Sequence, residues 1–141
     1  MTASFATLLT AVVTVIAVLV FFWTGLRVAT MRGKHDVKVP ATTGHPEFDC
    51  AYRVQMNTLE QIVIFLPLLW LSNSYFMLYA LLTPILGLVW IIGRLMYAMG
   101  YSATNPGGRS NGFLVAGVAT LGLLITTIIG LVQAYMAISA V

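Results

Sequence analysis

The run RVQMNTLEQ, from Arg53 to Gln61, sets an arginine, a glutamate and three amides just ahead of the apolar run IVIFLPLLWL. On a helix successive residues turn by about 100°, so Arg53, Asn57, Glu60 and Gln61 share a sector of roughly 100° while Gln55 points almost the opposite way. A second set, Trp90, Arg94, Tyr97 and Tyr101, falls on one face of a later helical segment. Arginine forks bind carboxylates through paired hydrogen bonds. Glu60 could take an ammonium, and Asn57 and Gln55 offer amide hydrogen bonds. Arg32, Arg53, Arg94 and Arg109 outnumber Glu60, the one carboxylate of the group. Such a pocket suits a small zwitterion with excess carboxylate, such as a peptide. Composition and spacing do not name a reaction.

The elements that must carry these residues follow from the composition. The chain has 141 residues, 60% hydrophobic and 8% charged, where a soluble domain carries roughly a quarter charged residues. Too few polar side chains exist to cover a water-facing surface, and a bilayer is the natural solvent. A crossing needs about 20 apolar residues. The uncharged runs Met1–Leu26 and Ser110–Val141 supply a first and a last span. The first run lacks a basic segment ahead of it and an A-x-A site after it, and is read as a retained span rather than a signal peptide. Between them Gln61–Gly93 is uncharged but too long for one straight crossing. A tight turn at Ser72-Asn73-Ser74 is expected to split it. The second helix must then start near Phe48, which draws Arg53, Asn57 and Glu60 into it. The third is expected to hold Pro84 as a kink. The expectation is an all-α membrane protein, one domain over residues 1–141, with spans at about 4–30, 48–72, 76–99 and 112–138.

All eleven charged side chains, seven basic and four acidic, fall at the first and third loops or in the adjoining halves of helices. The positive-inside rule predicts those loops to be cytoplasmic and both termini to lie across the membrane. Topology alone explains Lys34 and Lys38, but not charges inside helices. Polar groups at membrane depth face protein or a watery cavity, which predicts a pocket between the second and third helices. The plainer alternative is a packing network, such as Arg53 paired with Glu60, with Tyr97 and Tyr101 as interfacial anchors. A net charge of +3 with scattered basic residues points away from nucleic acid. Cys50 is the only cysteine, and His35 and His45 lie in a loop without an evident ligand set, so no metal is expected. Gly122, Thr126, Gly130 and Ala134, four apart, read as a helix-packing stripe. Whether it packs within the chain or between chains is open.

ATTGHPEFDCAYRVQMNTLEQ, followed after a span by GRLMYAMGYSATNPGGR, resembles the membrane-associated proteins in eicosanoid and glutathione metabolism. That superfamily holds the microsomal glutathione transferases, the leukotriene-forming synthase and a non-enzymatic lipoxygenase-activating protein. The specific part is PEF-x4-R-x-Q-x-N-x2-E with R-x2-Y-x2-G-Y and the later arginine. The resemblance implies a four-helix homotrimer with glutathione as co-substrate, bound between subunits. It implies that Arg53, Asn57, Glu60, Tyr97 and Tyr101 hold glutathione from one subunit, with Arg32, Gln55 and Arg109 reaching in from the neighbour. Gln61 and Arg94 belong to the same implied glutathione-binding set. Arg109, with Arg32, would be catalytic, Arg109 stabilising the thiolate. Two positions depart: Gln61 stands where the leukotriene-forming branch has tyrosine, and Arg32-Gly33 where it has two arginines. The second departure weakens the leukotriene reaction, and the NPGGR spacing looks closer to the broader transferase and peroxidase branch.

The implied activity is attack by a glutathione thiolate on a lipophilic electrophile or lipid hydroperoxide arriving from the bilayer. One alternative is a non-enzymatic presenter of the same fold, binding lipid or glutathione. Another is a small four-span transporter. The absence of a carboxylate from Met1–Leu26 argues against the transporter.

Overall fold

A computed structural model describes residues 2–140. Four helices follow one another: α1 (Thr2–Lys34), α2 (Pro46–Tyr75), α3 (Leu82–Gly100) and α4 (Ser110–Ser139), with a 3-10 turn over Pro106–Arg109 leading into α4. Each is long and apolar enough to cross a membrane. Lipid offers the backbone no hydrogen bonds, so helices that satisfy their own N–H and C=O groups are the fitting solution. The central pair is α2 and α3; α1 and α4 each pack against both. The outward faces stay apolar, with Leu19, Phe22, Val63, Ile92, Leu114 and Val118 exposed.

The core centres on Phe65 and Trp90, whose rings stack 4.0 Å apart and nearly parallel. Val13 and Ala17 meet them from α1, and Ala116, Ala119 and Leu123 from α4. A carbon added to Gly93 would sit 2.5 Å from the Ala116 backbone nitrogen, and one on Gly112 would strike the backbone of Tyr97. Backbone-to-backbone approach of α3 and α4 therefore depends on glycine at both places. The stripe at Gly122, Thr126 and Gly130 packs inside the chain. Gly122 faces Leu86, Gly130 faces the Tyr75–Phe76 backbone, and Thr126 bonds to Ser72.

Ser72-Asn73-Ser74 is not a turn. α2 runs through it to Tyr75, and the connection is the six residues 76–81. The reason is that these polar groups find partners on other helices. Ser72 Oγ lies 2.7 Å from Thr83 Oγ1 and 2.8 Å from Thr126 Oγ1, all three buried. Thr10 Oγ1 lies 3.0 Å from Asn73 Oδ1, and Asn73 Nδ2 donates to Thr7 Oγ1 at 3.2 Å. With α3 starting at Leu82, Pro84 falls in its first turn, where its missing N–H costs no helical bond, so the expected kink is absent. The proline inside a helix is Pro67 of α2.

The opposite end gathers the charged groups. Arg27 Nη1 donates to Ala98 O at 2.8 Å, tying the end of α1 to that of α3. His45 caps α2, its Nδ1 accepting from the Glu47 N–H, with Pro46 behind it and Glu47 and Asp49 in the first turn. Glu47 takes Lys34 Nζ at 2.8 Å and His35 Nε2 at 2.9 Å. The His35 and His45 rings stack at 3.6 Å and 10°. Sequence spacing did not link these two histidines to Glu47. One ligating atom of each of the three lies within 4.8 Å of the others, and the cluster staples the first loop to α2.

Candidate functional site

Arg53, Met56, Asn57 and Glu60 of α2, Tyr97 of α3, Tyr101 at its end and Arg109 before α4 line one cleft of about 370 Å³ at the charged end. Six of these seven were expected from the sequence, and Met56 was not. Three local features bring them together. The helical period sets the α2 residues on one face. Gly112 lets α4 approach Tyr97. The third loop closes backbone to backbone, because Gly100 and Gly108 pack where either would otherwise carry a Cβ. Asn105 Oδ1 accepts from the Gly108 N–H at 3.1 Å and shapes the turn ahead of Arg109. The Arg109 guanidinium then sits 4.5 Å from the centre of the Tyr101 ring, a cation–π contact. Tyr97 and Tyr101 lie 6.0 Å apart.

The charges in the cleft are left open. Among the described residues the ion pairs are Lys34–Glu47, His35–Glu47 and Lys38–Asp36. Arg53, Glu60 and Arg109 enter none of them, so the packing alternative of an Arg53–Glu60 pair does not hold in this chain. Glu60 accepts only a long contact, 3.4 Å from Asn57 Nδ2. Two free guanidinium groups against one carboxylate make an anion-accepting hollow, with Glu60 available for a cation.

Arg94 does not line the cleft. It is 1% exposed and lies under it, where Nη1 donates to Asn57 Oδ1 at 3.1 Å and Nη2 to Thr58 Oγ1 at 2.8 Å. Its guanidinium carbon lies 4.4 Å from the Tyr97 ring centre. Thr58 was missed because its role depends on where α3 packs, which α2 alone does not reveal. Arg32, Gln55 and Gln61 lie outside the cleft within one chain. Arg32 Nη1 donates to Val37 O and Lys38 O at 3.2 and 3.4 Å, over the Phe48 ring. Gln55 lies against α1 at Gly25. Gln61 borders an apolar groove of about 630 Å³ between α2 and α4, with Pro67, Phe113, Gly117 and Leu121 among its walls. A space lined by Asn57, Tyr97, Arg109, Ser110 and Phe113 shares walls with both cleft and groove.

Four apolar helices that gather unpaired arginines and a glutamate at one end define a multi-pass membrane protein with a polar cleft beside a lipid-facing groove. Sequence comparison names the class. The family model described as the MAPEG family matches residues 10–129, and the chain belongs to that family. It is 38% identical over 124 residues to a leukotriene C4 synthase of Cavia porcellus, covering 82% of this chain and 81% of that one. It is 39% identical over 106 residues to a microsomal glutathione S-transferase 2 of Homo sapiens, covering 74% and 67%. An uncharacterised protein of Synechocystis is 36% identical over 121 residues, 86% of each chain.

Proposed function

We propose that the protein is a membrane glutathione transferase, with glutathione-dependent peroxidase activity toward lipid hydroperoxides. The cleft carries the reading: the free guanidinium groups at Arg53 and Arg109 and the carboxylate of Glu60 complement a tripeptide that offers a carboxylate to Arg53, an ammonium to Glu60 and a thiolate to Arg109. The family relatives named for glutathione transfer support it. In this reading Arg53, Asn57, Glu60, Tyr97 and Tyr101 bind glutathione and Arg109 holds its sulfur. A free thiol has a pKa of about 8.5, and lowering it by about two units takes roughly 2.7 kcal/mol. One charge-assisted contact in a partly dry site is of that order. The thiolate attacks an electrophilic carbon, forming C–S as halide leaves. With a hydroperoxide it takes the terminal oxygen, releasing an alcohol, and a second glutathione reduces the sulfenic acid to disulfide and water. The lipophile enters by the α2–α4 groove. A homotrimer would let Arg32 and Gln55 serve the neighbouring cleft, with the first and third loops in the cytoplasm.

The test is isothermal titration with glutathione in detergent, beside turnover of an aryl halide and a lipid hydroperoxide. Arg109→Ala is expected to cut turnover about a hundredfold, on the loss of roughly 2.7 kcal/mol, while binding largely survives. Normal turnover in Arg109→Ala removes that residue from the mechanism. Binding without turnover of either substrate makes the protein a presenter.

A further inference from the structure

Arg94 is a cation in a membrane helix, almost fully buried, with no carboxylate of the described residues within ion-pair distance. Buried charges are costly unless paired or fully hydrogen-bonded. Its nearest route to a negative charge runs through Asn57: Arg94 Nη1 lies 3.1 Å from Asn57 Oδ1, and Asn57 Nδ2 lies 3.4 Å from Glu60 Oε2. The polarity of this chain is set by chemistry. A guanidinium has donors only, so the Asn57 atom facing it must be the carbonyl oxygen. The amide NH2 is thereby turned outward, to Glu60, an acceptor, and to the cleft that Asn57 lines. Thr58 holds the other side of the fork at 2.8 Å, its own hydroxyl lying 2.7 Å from Val54 O.

We propose that Arg94 is a positioning residue of this cleft, fixing the Asn57 carboxamide so that its NH2 and the Glu60 carboxylate face the ligand as a preset donor and acceptor. Its ligand rests on the glutathione reading; the coupling of Arg94 to Asn57 does not. Without Arg94 the amide is free to flip and present its oxygen to the cleft. The guanidinium also links Glu60 to a positive charge without touching it, and with Asn57 on Oε2 the other carboxylate oxygen, Oε1, stays open to an ammonium.

The test is a double-mutant cycle with Arg94→Met, Asn57→Ala and the pair, read by glutathione titration, by steady-state kinetics with an aryl halide, and by melting in detergent without ligand. Either single change is expected to weaken glutathione about tenfold, the scale of one charge-assisted hydrogen bond. The double variant should be no more than about twofold weaker than Asn57→Ala alone, because both changes remove one function. The loss should appear in KM for glutathione, with kcat at saturation within about threefold. A role confined to packing would give losses that multiply, or a fall in stability with unchanged affinity, and either result overturns the proposal. Should Arg94→Met fail to fold, Arg94→Lys and Thr58→Val replace it. The lysine keeps the charge but cannot bond Asn57 and Thr58 in one planar fork, so it should also raise KM, and unchanged KM in both variants overturns the proposal. If the wild-type protein binds no glutathione, the ligand reading fails. The melting cycle then decides the rest: non-additive shifts sustain the Arg94–Asn57 unit and additive shifts overturn it.

Discussion

Gly93→Ala should disable the cleft from a distance. The added carbon would lie 2.5 Å from the Ala116 backbone nitrogen and 3.0 Å from its Cα and Cβ, where ordinary contact begins at 3.4 Å. The obstacle is helix backbone, not the end of a flexible side chain, so relief requires α3 and α4 to part by about 0.9 Å, the difference of those two distances. Overpacking of this kind costs about 1–3 kcal/mol, or about 4 °C in melting temperature per kcal/mol for a domain of this size. The same displacement reaches the site. Gly93 lies one turn before Tyr97, and Ala116 one turn after Gly112, where α4 meets the Tyr97 backbone. Parting the helices there shifts Arg109, at the head of α4, away from Tyr97 and Tyr101. A misplacement of about 1 Å can cost on the order of 100-fold in rate. The assay is initial rate with glutathione and an aryl halide, beside melting in detergent. Gly117 on α4, with nothing within 4 Å of an added carbon, is the control for melting: Gly117→Ala should be at least as stable as wild type. Wild-type melting and wild-type turnover in Gly93→Ala would together refute the claim that this contact sets the site.

Ser72→Ala should lower stability by about 0.6–1.7 kcal/mol, the range of interhelical hydrogen bonds in membranes, without changing KM for glutathione, since the Ser72–Thr83–Thr126 hydroxyls lie at the far end of the bundle; thermal melting and kinetics on one preparation check both. Gly117→Leu fills the α2–α4 groove. Displacing two methylenes of a bound lipophile at about 0.8 kcal/mol each should raise KM for a lipid hydroperoxide roughly tenfold, while KM for a small aryl halide stays unchanged.

The residues of the cleft could be read from the sequence because two local rules sufficed. Span length drew Arg53, Asn57 and Glu60 into a helix, and the helical period put them on one face. The same period put Tyr97 and Tyr101 on one face of the later helix, and the family motif tied Arg109 to them. What could not be read depended on which helix packs where. Ser72-Asn73-Ser74 has turn composition, but three hydroxyls and an amide meeting across helices hold α2 straight there. The same blindness hid Thr58 beneath Arg94 and Glu47 between Lys34 and His35. In each case the missing partner lies on another element. Gly100 and Gly108 look like ordinary loop residues, yet they are where two backbones touch and Arg109 is aimed.

The buried hydroxyls of these helices and the charged side chains of the cleft are of two kinds, and satisfaction within the chain is what separates them. Thr10, Thr58, Ser72, Thr83, Thr126 and Thr127 are buried hydroxyls with partners, and each is explained by the packing it completes. Arg53, Glu60 and Arg109 bear charge, stand near one end of the bundle and have no ionic partner among the described residues. All three are exposed at the cleft rather than buried among the helices. Arg94 marks the boundary between the kinds. Two of its nitrogens are spent on Asn57 and Thr58, its Nε has no partner among the described residues, and its guanidinium lies over the Tyr97 ring. α2 thus meets α1 on one side, where Gln55 lies against Gly25, and lines the cleft on the side it turns to Arg109. The same few turns of helix hold the bundle together and leave two charges, Arg53 and Glu60, without an ionic partner among the described residues, facing Arg109 across the cleft.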